Sequence, residues 1–307
     1  MLRNQTQCWV RILVSNPEIL IMIVLHVELD KFETVTYRDH SRYEGMMKNG
    51  RREGQGTFCY ANGNKYNGSW IDDKMVGKGT FTWSNGDRYE GQFKDSKKHG
   101  RGTMFWADGS KYVGEWADDC RTGNGIFIWA NRDHYEGQFK NGRLNGKGKM
   151  KYANGIKYDG DWVDDQRAGQ GVLTGVNGDH YEGQFQGSKK HRYGTMSYAN
   201  GNRYVGDWIN DLKTGQGIYI WTDGNRYEGQ YRDNKRHGRG TMSFSDGSKY
   251  VGEWLNDRQD GQGVFIWADG DRYEGQFKDD VKHGQGTFYF VDGTLKKGCW
   301  VNDECPD

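Results

Sequence analysis

Aromatic and glycine positions recur along the chain at a constant spacing, with polar residues between them. A tyrosine followed two residues later by glycine occurs every 23 residues, at Tyr43, Tyr66, Tyr89, Tyr112, Tyr135, Tyr158, Tyr181, Tyr204, Tyr227, Tyr250 and Tyr273. Within one unit, Tyr89, Gly91 and Phe93 alternate with polar residues, which is the period of a β-strand with one buried face. The unbroken spacing indicates eleven copies of one structural unit.

Each unit contains a second predicted strand and a turn. Gly102, Met104 and Trp106 share one face of this strand, which follows a predicted loop at residues 95–99. Asp108-Gly109 then leads into the next tyrosine, and Asp-Gly supplies the positive φ angles that a two-residue type I′ turn requires. The units therefore predict an all-β fold, an elongated and twisted antiparallel meander of β-hairpins, or β-hairpin solenoid.

The repeat array sets the predicted domain boundaries. Full repeats span residues 43–295, and half repeats, marked by Val35, Tyr37 and Trp300, extend the array to residues 34–303. Residues 1–33 form a separate N-terminal segment, and residues 304–307 form a tail. The apolar run Ile19–Leu25 is shorter than the about 20 residues of a membrane-spanning helix. It is interpreted as a buried strand or short helix that caps the array, with a signal anchor as the alternative.

Composition is consistent with a thin aromatic core repeated along the chain. A hydrophobic content of 34% and a mean hydropathy of -1.02 are close to those of disordered chains, yet aromatic residues make up 14%. The formal net charge of +1 argues against a dedicated nucleic-acid binder, so we expect no nucleic-acid partner. The five cysteines are odd in number and lack a Cys-x-x-Cys pair, which favours a reducing compartment and predicts a cytoplasmic protein.

The repeats alternate in kind, so the chemical unit is a pair of hairpins. Odd repeats read Tyr-Glu-Gly-Gln-Phe, as at Tyr89, and even repeats read Tyr-x-Gly-(Glu/Asp)-Trp, as at Tyr112. The predicted loops alternate in charge along one edge of the sheet, about 10 Å apart. Odd loops carry Lys97, Lys98, His99, Lys189, Lys190, His191, Lys235, Arg236, His237, Lys282 and His283, and even loops carry Asp72, Asp73, Asp118, Asp119, Asp164, Asp165, Asp211 and Asp257.

The second strands of even repeats are apolar on both faces. Isoleucines at Ile126, Ile128, Ile218 and Ile220 are predicted to form a stripe opposite the aromatic face. The stripe is interpreted either as a partner surface or as ordinary β-propensity on a solvated sheet, with cover by the N-terminal segment as a third alternative.

The run Tyr-Glu-Gly-Gln-Phe-x-Asp, followed by Gly-x-Gly-Thr-Met-x-Trp-x-Asp-Gly, resembles the MORN repeat (membrane occupation and recognition nexus) over essentially everything after residue 33. Three units depart from this pattern. Asn131-Arg132 lacks the turn glycine in the fourth, Gly175 replaces an aromatic residue in the sixth, and Arg192-Tyr193 replaces Gly-x in the seventh. These departures predict an irregular or bent middle of the array.

The resemblance implies functions of several kinds. Similar repeats occur in radial-spoke proteins, junctophilins and cytoskeletal organisers, and beside the catalytic domains of plant phosphatidylinositol phosphate kinases and a SET-domain lysine methyltransferase. The segments outside the repeats are too short for a catalytic domain, and the sequence contains no nucleophile elbow, P-loop, kinase signature or zinc motif. We therefore expect no enzyme activity, no cofactor and no metal site.

Three functional hypotheses follow. The leading one is a non-catalytic cytoplasmic scaffold that binds a protein partner along an aromatic groove and the isoleucine stripe. The predicted aromatic contacts, which also belong to the expected hairpin core, are Trp116, Trp162, Trp208, Trp254, Tyr204 and Tyr250. The second is a peripheral binder of anionic phospholipid that uses Lys97, Lys98, Lys189, Lys190, Lys235, Arg236 and Lys282. The third is a targeting or regulatory module related to the lipid-kinase and methyltransferase repeats. Association with the membrane or the cytoskeleton, and a homodimer formed through edge strands, remain alternatives.

Overall fold

The computed structural model describes residues 31–306 and places them in 24 β-strands. The predicted all-β antiparallel meander of hairpins is confirmed. No helix that could cross a membrane is present within this described range. The apolar run at residues 19–25 lies outside it. Contacts divide the chain into two units, residues 1–123 and 124–307.

Strands follow one another closely in both units. The first unit contains β1 (Lys31–Thr36), β2 (Arg42–Lys48), β3 (Arg51–Cys59), β4 (Lys65–Ile71), β5 (Lys74–Thr82), β6 (Arg88–Lys94), β7 (Lys97–Phe105) and β8 (Lys111–Ala117), and β9 (Cys120–Ile128) crosses the division. The second contains β10 (His134–Lys140), β11 (Arg143–Lys151), β12 (Lys157–Val163), β13 (Gln166–Thr174), β14 (His180–Gln186), β15 (Lys189–Ser197), β16 (Arg203–Ile209), β17 (Leu212–Ile220), β18 (Arg226–Arg232), β19 (Lys235–Ser243), β20 (Lys249–Leu255), β21 (Arg258–Ile266), β22 (Arg272–Lys278), β23 (Val281–Tyr289) and β24 (Leu295–Trp300).

Neighbouring strands in the chain pair antiparallel, from β1 to β8 in the first unit and from β10 to β24 in the second. Between β6 and β7, Tyr89 faces Met104 and Gly91 faces Gly102, so the predicted aromatic face is formed by both strands. The register shifts after Gly91 at a β-bulge, which accommodates the longer second strand of the hairpin.

The repeat tyrosines form the centre of the core and explain the recurring glycines. Tyr89 is 0% exposed, and a Cβ atom on Gly91 or Gly102 would overlap its hydroxyl and ring. The Tyr89 hydroxyl donates a hydrogen bond to the Gln92 carbonyl oxygen at 3.0 Å, so the buried donor is satisfied. Glycine is therefore required at both positions because the tyrosine ring lies directly on the paired backbones.

Within each unit, the aromatic residue near the end of each first strand links the repeat tyrosines into an aromatic layer. Tyr158 meets Trp162 of its own repeat at a centroid distance of 5.1 Å and an angle of 90°. It meets Phe185 of the following repeat at 5.1 Å and 86°. Edge-to-face pairs of this kind are the favoured geometry for aromatic quadrupoles. Each hairpin thus completes the core of its neighbour, as expected for a repeat protein.

The hairpin turns differ from the predicted ones. The two-residue turn lies at Asp95–Ser96, where φ is 48° and 65°, as a type I′ turn requires. Lys97, Lys98 and His99 belong to β7, so the loop predicted at residues 95–99 is reduced to the turn at residues 95–96, and its assignment to residues 97–99 was wrong. Polar residues with short side chains, above all Asp and Asn, enter the left-handed region without glycine, and this is why a glycine-based search for the turn missed it.

The Asp-Gly positions form a different connection. The Gly109 N–H donates to the Trp106 carbonyl oxygen at 3.0 Å, and the Trp106 N–H donates to the Ser110 carbonyl oxygen at 3.0 Å. Gly109 has a φ of 91°, whereas Asp108 is not left-handed. This is a three-residue connection with a left-handed glycine at its end. The predicted two-residue type I′ turn at Asp-Gly was therefore wrong.

Where the second residue of a two-residue turn is Asp, Asn or Ser, it ties its hairpin to the preceding one. Asp119 Oδ1 accepts the Lys98 N–H at 3.0 Å, and the Asp119 N–H donates to the Lys98 carbonyl oxygen at 3.0 Å. Asp257 does the same to Arg236. The acidic turn residues therefore cap the start of a neighbouring strand, which is a structural role.

The departures in the middle repeats are accommodated locally. Arg132 adopts a φ of 72° where other repeats have the turn glycine, and Arg192 adopts a φ of 54° where they have the bulge glycine. The register from β10 to β16 nevertheless continues as in the other repeats of the second unit. The predicted irregularity is thus confined to single residues in this pairing.

Candidate partner-binding groove

The aromatic residues predicted to contact a partner belong to the core. Tyr204 and Tyr250 are 0% exposed, and Trp116, Trp162, Trp208 and Trp254 are between 1% and 4% exposed. Their indole groups are also satisfied: the Trp254 Nε1–H donates to the Gly240 carbonyl oxygen at 3.3 Å, as Trp208 does to Gly194. The predicted aromatic groove is corrected accordingly, because neighbouring rings and glycine backbones already cover these side chains.

The basic residues predicted to bind lipid fall into two groups. Lys98, Lys190, Arg236 and Lys282 lie over the aromatic layer, with the charged group 4.7 Å, 4.6 Å, 4.3 Å and 4.9 Å from the ring centroids of Trp116, Trp208, Trp254 and Trp300. Burial lowers the pKa of Lys98 and of Lys190 below the ordinary lysine value. Lys97, Lys189 and Lys235 are exposed. Four of the seven residues are therefore part of the cover of the core.

The isoleucines lie on the opposite face of the strands, which we call the polar face. Ile218 faces Val205 and Glu228 in the neighbouring strands. Ile220 and Ile128 are each 38% exposed, and Ile126 and Ile218 are half-buried. The alternation of the strands therefore separates the apolar stripe from the aromatic core.

The polar face of the second unit contains a groove of about 830 Å³ across strands β17 to β24. Its floor is a line of backbone at glycines such as Gly240, Gly252, Gly263 and Gly275. One side, which we call the valine wall, carries Thr241, Val251, Val264, Glu274 and Thr287. The other side, the glutamine wall, carries Gln216, Arg239, Glu253, Gln262 and Gln285. The walls are two residues apart along each strand, or about 7 Å.

The glycine floor is a direct consequence of the aromatic core. Gly240 faces Gly252 in the strand pairing, and a Cβ on Gly240 would meet the Tyr227 ring on the other side of the sheet. These positions therefore have no side chain on either face. The same residues that admit the tyrosine rings leave a bare channel on the polar face.

Charges along the groove are unequally paired. Glu228 forms an ion pair with Arg226 at 2.6 Å, and Glu274 forms one with Arg272 at 2.9 Å. Glu253 accepts the Gln262 N–H at 3.3 Å. Within the described part of the chain, Arg239 and Lys297 have no carboxylate within ion-pair distance, and both are exposed, although Arg239 faces Glu253 across the strand pair.

The corresponding surface four repeats earlier is closed by ion pairs. Lys147 Nζ lies 2.6 Å from Asp161 Oδ1, and Lys149 Nζ lies 3.3 Å from Asp159 Oδ2. These residues stand at the positions of Arg239, Glu253, Thr241 and Val251 in the same strand register. The groove residues were missed from the sequence because the search followed the aromatic face. The sequence does contain one signal for the groove: a repeat position that holds Asp159 in repeat six holds Val251 in repeat ten.

Other kinds of site have little support in residues 31–306. No group of three or more His, Cys, Asp or Glu residues there is arranged to hold a metal ion. The large pKa shifts belong to core tyrosines such as Tyr158 and Tyr250, and burial raises the pKa of both. Cys59, Cys120 and Cys299 are exposed free thiols.

Comparison with known proteins identifies the repeat. The family model described as the MORN repeat matches eleven consecutive segments, residues 43–65, 66–88, 89–111, 112–134, 135–157, 158–180, 181–203, 204–226, 227–249, 250–272 and 273–295. No curated protein matches the chain.

Several solved structures share limited similarity with the chain. The Drosophila melanogaster SAS-4 (dCPAP) TCP domain, in complex with a proline-rich motif of Ana2 (dSTIL), is 13% identical, with 65% of this chain and 99% of that chain covered and a TM-score of 0.33. The Danio rerio CPAP TCP10 domain, in complex with a STIL peptide, is 9% identical, with 88% and 100% covered and a TM-score of 0.28. Staphylococcus aureus virginiamycin B lyase is 10% identical, with 71% and 82% covered and a TM-score of 0.16. At these TM-scores the likenesses carry no inference about function.

Proposed function

The chain belongs to the MORN-repeat family, and we propose that it is a non-catalytic scaffold that holds an extended segment of a protein partner in the groove of its polar face. The observation that carries the proposal is the glycine-floored channel between the valine wall and the glutamine wall. The walls are about 7 Å apart from backbone to backbone, which is too narrow for a helix, whose diameter is about 10 Å or more.

The two walls offer complementary contacts for such a segment. Val251 is 42% exposed and pairs directly with Val264, so the centre of one wall is apolar. On the other wall, the side-chain amides of Gln216, Gln262 and Gln285 form no hydrogen bond within the described residues. Free amides can donate to and accept from the peptide groups of an extended chain. The groove therefore combines apolar anchoring with recognition of backbone.

The distribution of perturbed groups supports a non-catalytic role. Catalytic acids and bases with shifted pKa values normally cluster in one pocket. Here the pKa is raised for the repeat tyrosines and also for Tyr60, Tyr152, Tyr198 and Tyr231, and burial is the main cause of each shift. They therefore reflect the packing of the core and do not mark a reaction centre.

Selection from a displayed library of linear peptides against the full chain tests the proposal. Val264→Arg places a long cation in the valine wall, whereas Val172→Arg makes the same change at the same repeat position outside the groove. Selected peptides should bind Val264→Arg at least tenfold more weakly than the natural chain and should bind Val172→Arg normally. If both variants retained the selected peptides equally, the groove would not be the binding site.

The phospholipid hypothesis has weaker support. Lys98, Lys190, Arg236 and Lys282 are held against aromatic rings, which leaves Lys97, Lys189 and Lys235 as its exposed residues. Three separated lysines at about 1 kcal/mol each provide only weak attraction to an anionic surface. A cytoplasmic location and a possible homodimer remain predictions from the sequence.

A further inference from the structure

Building on the proposed function, we infer that the bound segment is an uncharged, proline-rich chain in the polyproline II conformation. Side chains of the glutamine wall donate hydrogen bonds to its backbone carbonyl groups, and the valine wall contacts its proline rings. Three features of the groove carry this assignment: the spacing of its donors, the kind of hydrogen bond that they offer, and the balance of charge between the walls.

The donors of the glutamine wall recur once per hairpin. Gln216, Arg239, Gln262 and Gln285 occupy the same repeat position on β17, β19, β21 and β23. Alternate strands are two strand spacings apart, or about 9.6 Å. A polyproline II helix rises about 3.1 Å per residue with three residues per turn, so its carbonyl groups return to one side at intervals of about 9.3 Å. The four donors therefore match successive turns of such a helix to within about 1 Å over three turns.

A fully extended β-chain does not fit the same spacing. Its carbonyl groups on one side recur every two residues, or about 6.7 Å. This interval is about 3 Å shorter than the hairpin spacing, so the second donor already falls out of step. The groove from β17 to β23 spans six strand spacings, about 29 Å, which three turns of polyproline II cover with roughly nine residues.

The glutamine wall offers the donors that a proline-rich backbone requires. Proline has no N–H, so such a chain presents carbonyl acceptors without matching donors. The side-chain amides of Gln216, Gln262 and Gln285 are exposed and form no hydrogen bond within residues 31–306. Arg239 is also exposed, and a guanidinium can only donate. Each turn of the bound segment therefore meets one donor of the wall.

The valine wall provides the apolar contact for the proline rings. Thr241, Val264 and Thr287 stand at one repeat position on β19, β21 and β23, so their methyl groups share the donor spacing of about 9.6 Å. Val251 on β20 is 42% exposed and pairs directly with Val264. Every third residue of a polyproline II segment therefore contacts this wall while its carbonyl groups face the donors.

The charges of the groove are balanced, which suits an uncharged segment. Each carboxylate of the lining faces a cation across the strand pair or on its own strand: Arg239 with Glu253, Arg226 with Glu228, and Arg272 with Glu274. Lys297 lies on β24, outside the span of the four donors. A charged occupant would compete with these pairings, whereas a proline-rich segment brings no charge into the groove.

The same row of positions is interrupted earlier in the second unit. Lys147 on β11 forms an ion pair with Asp161 at 2.6 Å, which occupies its donor. Tyr193 on β15 places a 57% exposed ring where the groove has an amide. Gln170 on β13 stands between these two residues. The unbroken row of donors thus begins at Gln216 and coincides with the groove.

A pair of synthetic nine-residue peptides with capped ends tests the inference on the full chain. One repeats Pro-Pro-Val three times, and the other alternates Val and Thr, which favours a β-strand. Fluorescence anisotropy should show the proline-rich peptide bound at least tenfold more tightly, with an affinity that changes by less than about twofold between low and high salt. Equal affinity for the two peptides would overturn the polyproline II conformation, and a strong salt dependence would overturn the uncharged occupant.

Matched variants locate the donors. Gln262→Leu combined with Gln285→Leu removes two donors from the row and should weaken binding of the proline-rich peptide about tenfold. Gln55→Leu combined with Gln170→Leu makes the same change at the same repeat position outside the groove and should leave binding unchanged. Circular dichroism checks the fold of both double variants. Undiminished binding in the first double variant, or equal losses in both, would contradict the inference.

The library selection separates failure of this inference from failure of the proposed function. Val264-dependent peptides with proline at intervals of three residues would support both. Selected peptides that depend on Val264 but show no enrichment of proline would overturn the polyproline II segment and retain the groove as a protein-binding site. The absence of any Val264-dependent peptide would overturn both.

Discussion

Repeats five and six, residues 135–180, and repeats nine and ten, residues 227–272, have the same fold and different polar faces. Lys149 faces Asp159 in the first pair of repeats, and Thr241 faces Val251 at the same positions in the second. The first surface is crossed by ion pairs, and the second is an open groove. These substitutions lie in side chains that point away from the core.

The repeat tyrosines pack in nearly the same way in the two regions. Tyr158 meets Trp162 at 5.1 Å, and Tyr250 meets Trp254 at 5.2 Å, both edge to face. A tyrosine ring on paired glycines leaves no freedom at the core positions, whereas the polar face is constrained only by β-propensity. The aromatic face therefore maintains the fold, while the side chains of the polar face can differ from repeat to repeat.

The largest expected effect is loss of the whole fold at high pH, in both regions together. Burial raises the pKa of Tyr158 and of Tyr250, and it raises the pKa of Tyr273 to about 12 from an ordinary value of 10.0. Because the folded values are raised, this stability is complete below pH 10 and is lost as the pH rises through about 12. Burial lowers the pKa of Lys190, so the free-energy cost of burying its charge disappears as the pH rises and the lysine loses its proton. This effect stabilises the fold at high pH, but the repeat tyrosines are more numerous than such lysines and dominate.

Ultraviolet absorbance of tyrosinate and circular dichroism measure this transition. We expect tyrosine ionisation and loss of β-structure to coincide in one steep step. A separate early step that ionises only part of the tyrosines would show that the two regions differ in core stability, contrary to the comparison.

The next largest effect is destabilisation by a methyl group beneath a tyrosine. Gly148→Ala and Gly240→Ala should each reduce the free energy of unfolding by about 3 kcal/mol, because the new Cβ overlaps the ring of Tyr135 or Tyr227. Urea unfolding measures both, and Thr241→Ala on the polar face should change stability by less than about 0.5 kcal/mol. Unequal losses of unfolding free energy in the two glycine variants would show that the aromatic faces of the two regions are not equivalent.

Introducing the ion pair of the first region into the groove should weaken peptide binding without destabilising the fold. Thr241→Lys combined with Val251→Asp recreates the Lys149–Asp159 ion pair within the groove. We expect at least a tenfold loss of affinity for groove-binding peptides, about 1.4 kcal/mol, with a thermal midpoint close to that of the natural chain. The reverse change, Lys149→Thr with Asp159→Val, should leave peptide binding unchanged. Retained binding in the first variant would show that the open wall is not needed.

The sequence predicted the fold well because the core is encoded by a repeated steric requirement. The tyrosine spacing identified each hairpin, and alternation assigned Tyr89 and Met104 to one face. The turns were misassigned because Asp95 and Ser96 adopt positive φ without glycine. The tryptophans were misassigned as contacts because periodicity identifies a shared face without showing what covers it. The groove depends on cross-strand neighbours such as Val251 and Val264, whose pairing requires the register of the folded strands.

The smallest expected effect concerns Gly175, one of two positions, with Leu173, at which repeat six lacks a ring that repeat ten has. Trp267 of repeat ten packs between Phe265 at 4.5 Å and Phe288 at 5.1 Å, whereas Gly175 leaves the equivalent place beside Leu173 and Met196 without a ring. Met196 is accordingly half-buried, although methionines at the same position, Met150 and Met242, are 6% and 5% exposed.

Gly175→Trp should therefore stabilise the chain by about 1 kcal/mol and raise its thermal midpoint by about 2–4 °C. Gly175 does not require a left-handed backbone, and its nearest obstacle is the Asn177 side-chain oxygen, 2.9 Å from a new Cβ. Gly178→Trp is the matched control, because Gly178 has a φ of 92° and a side chain there should lower the midpoint. If Gly175→Trp also lowered the thermal midpoint, the aromatic layer of repeat six would be built differently from that of repeat ten. The core shared by the two regions would then not include the end of the hairpin at which Gly175 lies.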